Sequence, residues 1–481
     1  WISFFGLTQG VAKDKKSSMN QLKITVFLFL YVSIALGQSA KPPWSNQLGT
    51  YLKTAQERLG FQGVCLVAQG DEVLFQQALG KASIEFDVDM QKDHRFKIAS
   101  ISKSFTAFAV GQAEKEGMLK FSDPVSQYLP ELKGAKWEDI TVHHLLTHTS
   151  GIPHHEGMND YWEVRSRLRL AKSSILEAIR GMELNFSPGS DLLYSSPGYW
   201  LLAVLLESVY GEEYAAIWQD KIGRPMGLKA SGLYRHEEIL PKLTTGYHLL
   251  PGDRLISAPY RDFSGLKGGG DMYSTVEDLR LWNQFILQEL NRPGFVQQAL
   301  QVKNTYKTHR HEGTRYGYGW FIRPKRKDRP TAYFHGGGTF GCSALSAIYP
   351  EEEMSIIILS NVSGLPIDLI WQNIEAIVLG LPFESPPQAD SGPIDQESMK
   401  KYIGSYQSTT SEQQLRIFIH EEALYAQLQG RPPFPLTVTK PHTFYGEKVG
   451  ISFTFQHDTS KRVIGLKAEG RGRSFVFEKK D

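Results

Sequence analysis

Phe96-Lys97-Ile98-Ala99-Ser100-Ile101-Ser102-Lys103-Ser104-Phe105-Thr106 is the stretch from which the rest of the chain can be read. Ser100 and Lys103 stand three residues apart at the head of an apolar-periodic segment that continues through Ala107, Phe108, Val110 and Ala113. On a helix, positions i and i+3 share one face, so the spacing predicts the Ser100 hydroxyl one turn from the Lys103 ammonium. The start of a helix also carries unpaired N–H groups and the positive end of the helix dipole, which favour negative charge. A serine hydroxyl, a poor nucleophile at its ordinary pKa, becomes reactive when a neighbouring base takes its proton. Lysine can be that base where burial keeps it neutral. Alone, Ser-x-x-Lys also describes many helices whose two polar residues simply face water. The remaining chain has to supply the other parts.

At 481 residues the chain exceeds what one core usually holds, and two domains are expected. A formal net charge of +2 offers no electrostatic footprint for nucleic acid. Met19-Asn20-Gln21-Leu22-Lys23 forms a short positive start, Ile24 to Leu36 an apolar core, and Ala35-Leu36-Gly37 a small-residue flank. Residues 19–37 therefore read as a signal peptide, which predicts export to the periplasm or the exterior and no stable membrane anchor after cleavage. A retained anchor is the competing reading. Residues 1–18 fit no targeting pattern and read as an upstream extension. Cys65 and Cys342 both sit in strand-like apolar runs. Export would permit a disulfide, yet two free buried thiols are the expectation.

Taken in order, a helix is predicted from about Ser45 to Leu59. Gly63 to Ala68 and Val73 to Gly80 then flank a Gly-Asp turn as a hairpin. The Ser100 helix should end near Gly117, and another helical stretch lies between Tyr161 and Arg180. Leu145 to Pro153 closes an element with a Gly-Ile-Pro stop. Tyr194-Ser195-Ser196 precedes an apolar helix from Trp200 to Val209. Ser274 to Asp278 is a capping pattern that opens a helix from Leu279 to Leu290. Four strand-like runs follow: 316–322, 332–338, 344–349 and 354–359. With the early hairpin, they predict an α+β fold in which an antiparallel sheet is assembled from both ends of the segment and flanked by helices, with a helical subdomain. Residues 382–395, rich in proline, serine and acidic residues, read as a linker. From 396 to 481 alternating short runs predict a small all-β barrel.

Together these pieces resemble the penicillin-recognising serine hydrolases of the β-lactamase and penicillin-binding-protein kind, on the class C β-lactamase branch that also holds esterases and D-peptidases. The resemblance rests on Ser100-Ile101-Ser102-Lys103, Leu145 to Pro153, Gly268 to Asp278, Tyr194-Ser195-Ser196 and His335-Gly336-Gly337, covers roughly Gln47 to Val378, and implies a hydrolase domain over residues 42–381. The tail resembles the lipocalin-like barrel appended to many members. The resemblance implies Ser100 as nucleophile, with Lys103 and Tyr194 jointly as the acid/base pair, since a phenol that titrates near 10 has to share its proton with a nearby cation. It implies an oxyanion hole from the backbone N–H groups of Ser100 and Gly338. Ser196, His335, Gly336 and Gly337 would meet the substrate, the glycines by letting it lie against strand backbone.

Two positions depart from the branch. Ser196 replaces the usual asparagine and cannot donate and accept with amide geometry. His335 replaces the lysine of dedicated β-lactamases. Both favour ester or D-peptide chemistry over β-lactam hydrolysis. A zinc site among His143, His144, His148, His154 and His155 lacks a ligand pattern, and no metal or organic cofactor is expected. Lys325 to Arg329 reads as a solvated turn. Gly-x-Ser-x-Gly is absent around Ser100, against an α/β-hydrolase. The sequence thus predicts a serine hydrolase acting through an acyl-enzyme on Ser100, on a small ester, peptide or D-amino-acid-containing substrate. The alternatives are a class C-like β-lactamase, or a non-catalytic binder of penicillin or peptidoglycan. Oligomeric state and the role of the barrel stay open.

Overall fold

The architecture follows from strands whose two faces are both apolar. The computed structural model describes residues 41–480 except 159, 163, 251–253, 302–313, 384–395, 410–412, 421–422, 430–432, 447–450 and 471–472. The signal-peptide, upstream-extension and most of the linker readings lie outside these residues. From Trp44 onward the chain packs as one unit.

Helix α1 (Ser45–Leu59) leads into β1 (Gly63–Gln69) and β2 (Glu72–Leu79), as predicted. After the central helices come β3 (Arg315–Tyr316), β4 (Phe321–Arg323), β5 (Ala332–Thr339), β6 (Cys342–Tyr349) and β7 (Met354–Ser360). The first expected late strand is thus two short ones, interrupted where Gly319 turns with φ +84. The seven strands form one sheet in the order β3-β4-β5-β6-β7-β1-β2. Because β1 pairs antiparallel with β7, the two ends of the segment meet in the middle of the sheet.

Alternation along these strands sorts the core into two layers. Ala344 and Ile348 of β6, with Ile357 and Leu359 of β7, face a core that includes the helix Ser102–Lys115. Leu345, Ala347 and Tyr349, with Ile356 and Ile358, face the opposite core, with α1 and the C-terminal helix Ile367–Val378. Covered on both faces, these strands read as near-continuous apolar runs.

Helix α2 (Ser102–Lys115) is enclosed on nearly all sides from Ser102 to Gly111. Phe105 stacks on Trp282 at 4.3 Å between ring centroids. Helix α3 (Ser196–Tyr210) starts four residues before its predicted position, because the Ser195 side chain caps it by accepting the Gly198 N–H at 3.2 Å. Helix α4 (Val276–Leu290) likewise begins early, with Thr275 capping Asp278 N–H at 3.2 Å. The helical stretch expected between Tyr161 and Arg180 is corrected: a short 3-10 turn at Arg165–Arg167 is followed by helix only from Lys172 to Gly181. In that stretch Tyr161 and Trp162 pack against His155 instead of continuing a helix.

The tail is a closed eight-stranded barrel from Gly404 to Lys479. Cys65 and Cys342 are free and buried. Among the described residues no helix is long and apolar enough to cross a membrane.

Candidate active site

Ser100 sits in a 3-10 turn, Ala99–Ile101, just ahead of α2 rather than within its first α-helical turn. Ala99 takes φ +45, a left-handed conformation that costs a non-glycine residue on the order of 1 kcal/mol or more. Neighbouring bonds hold it there. The Ile98 N–H donates to the Met272 carbonyl at 2.9 Å. The Ser102 hydroxyl donates to the Ala99 carbonyl at 2.6 Å and accepts the Met272 N–H at 3.2 Å.

One turn on, Lys103 is fully buried, and its Nζ lies 3.1 Å from Ser100 Oγ. The same amine reaches Ser196 Oγ at 3.0 Å and the Gly269 carbonyl at 2.5 Å. Burial lowers its pKa to about 7, opposed by the negative charge of Asp271. A neutral Lys103 has two N–H groups and one lone pair. A carbonyl can only accept, so one N–H is committed to Gly269. With the other on Ser196, the lone pair is left for the Ser100 proton.

The Gly269 carbonyl is aimed by its loop. Gly268 has φ +65, and a β-carbon there would stand 2.7 Å from that of Ala203 on α3. The Thr106 hydroxyl donates to the Gly268 carbonyl at 2.6 Å, and the Gly268 N–H donates to Asp271 Oδ1 at 2.9 Å. Asp271 is itself buried, which raises its carboxyl to about 7.

Tyr194 reaches the lysine as a ring: Nζ lies over it, 4.9 Å from the centroid. Its segment is fastened by His148, which is buried with φ +59. The His148 carbonyl accepts the Leu193 N–H at 2.9 Å, and its Nδ1 accepts the Ser195 N–H at 3.1 Å. The His148 ring packs 4.3 Å from that of Tyr194. Burial, then the charge of Lys103, pushes the His148 pKa well down.

On the other side of Ser100, β4 covers β5 only from Ala332 to Phe334. Beyond that point the edge of β5 lies against the turn that holds Ser100. A β-carbon on Gly337 would stand 2.1 Å from the Ile98 carbonyl oxygen, so only glycine permits this approach. At Gly338 a β-carbon would meet nothing within 4 Å. His335 is buried, with Nδ1 against the Gly336 carbonyl at 2.7 Å and Nε2 against the Tyr316 hydroxyl at 3.0 Å. Both ring nitrogens are therefore tied to the protein. The structure thus brings Ser100, Lys103, Ser196 and the Tyr194 ring together, with the Gly336–Gly338 edge alongside.

Among the clustered histidines, His143 bonds Tyr318 at 2.7 Å and His155 Nε2 meets the Gly265 carbonyl at 3.2 Å. Among the described residues no group of His, Cys, Asp or Glu is arranged to hold a metal. Sequence reasoning missed the roles of three residues here. Asp271 carried no signal beyond its place in a quoted stretch. His148 and His154, the latter 3.1 Å from Ser196 Oγ, stood out only as members of the histidine cluster, weighed there as metal ligands.

A sheet flanked by helices, with Ser-x-x-Lys at the mouth of the buried one, defines a β-lactamase-type architecture. The profile of the family described as Beta-lactamase matches residues 50–374, and the chain belongs to that family. It is similar to penicillin-binding protein 4* of Bacillus subtilis, 27% identical over 445 residues that cover 87% of this chain and 96% of the relative. Among solved structures it is similar to a penicillin-binding protein from Bacillus halodurans, at TM-score 0.58 and 26% identity over 68% of this chain and 99% of that one. A D-stereospecific amidohydrolase from Streptomyces shares the fold at TM-score 0.58 and 22% identity, over 66% of this chain and 94% of that one.

Proposed function

We propose that the protein is a serine hydrolase in which Ser100 attacks a carbonyl and carries the acyl group. The observation that supports this most directly is the Ser100 Oγ to Lys103 Nζ distance of 3.1 Å, with the lysine fully buried. Lys103 takes the hydroxyl proton, with the Tyr194 phenol, whose ring lies 4.9 Å from the amine, as its partner in acid/base transfer. The N–H groups of Ser100 and Gly338 hold the oxyanion, at a typical value of about a hundred- to a thousand-fold in rate for each donor. In deacylation the same lysine draws a proton from water.

The substrate is an ester or amide of a small acyl group or a D-amino acid. Ser196 at the position of the branch's asparagine, and a His335 whose ring is already engaged, argue against efficient β-lactam turnover. The likeness to penicillin-binding proteins supports a second reading, in which penicillin acylates Ser100 and is released slowly. The apolar run at 24–36 supports export of the chain.

A fluorophosphonate probe tests the nucleophile: Ser100 should be labelled, and Ser100→Ala should not. Rates on p-nitrophenyl acetate and butyrate, nitrocefin and D-alanyl-p-nitroanilide then rank the substrate classes. Nitrocefin turnover well above the ester rates would overturn the ranking.

A further inference from the structure

Ser196 Oγ is held from two sides. Lys103 Nζ lies 3.0 Å away and His154 Nε2 3.1 Å. The tautomer of His154 follows from its other nitrogen: Nδ1 accepts the His155 backbone N–H at 2.7 Å. In the neutral imidazole the proton therefore sits on Nε2 and is donated to Ser196 Oγ. A protonated Lys103 donates to the same oxygen. Both lone pairs of the Ser196 hydroxyl are then filled, and its own proton points elsewhere.

The surroundings of Lys103 give that hydroxyl a task. The amine is fully buried and Ser196 is 5% exposed, so a proton taken from Ser100 has no direct route to bulk water. The carbonyl of Gly269, the third partner of Nζ, cannot carry a proton onward. Ser196 can, because a hydroxyl accepts one proton as it gives up another.

We propose that Ser196 is a catalytic residue that relays the proton from Lys103 to the leaving group, with His154 as its positioning residue. The proposal rests on Ser100 being the nucleophile. As the tetrahedral intermediate collapses, the bond from carbon to the leaving atom breaks, and its electron pair stays on that oxygen or nitrogen. The Ser196 O–H bond breaks toward the leaving atom. One Lys103 N–H bond breaks in turn, and its proton lands on Ser196 Oγ, which returns the lysine to its neutral form. The His154 proton stays on Nε2, where its hydrogen bond stabilises the oxygen while charge passes through. No further reactant is needed.

The test separates leaving groups. p-Nitrophenolate departs without a proton, whereas ethoxide requires one. Wild type, Ser196→Ala, His154→Ala and the double variant are compared by kcat/KM on the p-nitrophenyl and ethyl esters of one acyl group, with fluorophosphonate labelling of Ser100 in each. On the ethyl ester, Ser196→Ala should lose about a hundredfold and His154→Ala about tenfold, within the usual range for proton-transfer catalysis. The double variant should be no slower than Ser196→Ala alone, because the two side chains act in series. On the p-nitrophenyl ester the losses in Ser196→Ala and His154→Ala should be clearly smaller, for Ser196→Ala by about tenfold or more, because no proton transfer to the leaving group is needed even though the hydrogen bond that orients Lys103 is gone. Equal losses on the two esters, additive losses on the ethyl ester, or a labelled wild type that cleaves no ethyl ester would each overturn the relay while Ser100 kept its role. A wild-type Ser100 that fails to label removes the nucleophile itself, a distinguishable result.

Discussion

In the proposed reaction Lys103 serves as base because the fold has taken it out of water. Its pKa falls from the ordinary lysine value to about 7, with burial the main cause and the Asp271 carboxylate partly restoring it. If the neutral amine starts the reaction, kcat/KM on a p-nitrophenyl ester should rise as pH climbs through about 7 and level off above it. Asp271→Asn removes the negative charge that favours the ammonium, so the rising limb should move to lower pH. A limb that stays put or moves up would show that Asp271 does not act on this lysine. The Ser-x-x-Lys spacing made the Ser100–Lys103 pair legible, since three residues of helix suffice to define the contact. Asp271 was not legible, because its effect depends on burial that the whole fold creates.

At the scale of elements, the site is an approach of one turn to one strand edge. Gly337→Ala would place a β-carbon 2.1 Å from the Ile98 carbonyl and push β5 away from the Ser100 turn. Labelling of Ser100 by a fluorophosphonate should fall by about a hundredfold or more, as expected when an oxyanion donor is displaced. Gly338→Ala keeps its N–H and meets no atom within 4 Å, so it should label at close to the wild-type rate. Similar losses in both variants would mean that the strand's approach is not what matters.

His148 supplies a second element-scale prediction. His148→Ala leaves the buried Ser195 N–H without its acceptor and opens space beside Tyr194. It should destabilise the fold by about 1–3 kcal/mol in a urea titration, the usual cost of an unpaired buried donor. Unchanged stability would refute the clamp. Elements with a strong period or cap, such as α1, α4 and the hairpin of β1 and β2, were legible in the sequence to within a few residues. The stretch from Tyr161 was misread as helix because Tyr161 and Trp162 gave apolar positions that the fold uses for stacking on His155. His154 and Ser196 lie 42 residues apart and meet only through tertiary packing.

Across the whole molecule, the two sheet faces divide the labour. Ser100 and Lys103 lie on the α2 side, while the other face is closed by α1 and the helix Ile367–Val378. The barrel reaches this second face, where Tyr445 sits close enough to the Tyr51 phenol on α1 to help burial raise its pKa. Tyr51 also packs edge-on to Phe383 at 5.8 Å, just before the connection to the barrel, and accepts from Asn373 Nδ2 at 3.1 Å. The barrel interior is filled by its own side chains, among them Tyr406, Phe444, Phe453, Phe455, Leu466 and Phe477. With its interior filled by its own side chains, and Tyr445 near Tyr51 on the face away from Ser100, the barrel is expected to leave the chemistry at Ser100 unaffected. Phe455→Ala should therefore cost about 3–5 kcal/mol of barrel stability, the usual result of emptying a buried aromatic site. Phe455 lies 4.5 Å from the Tyr402 ring and 5.4 Å from Phe444, so its loss cannot be filled without shifting both. Labelling of Ser100 at a temperature where the protein remains folded should be unchanged. If the labelling rate falls while the sheet domain keeps its near-UV signal, the barrel contributes to the cleft after all, and the separation of support from chemistry fails.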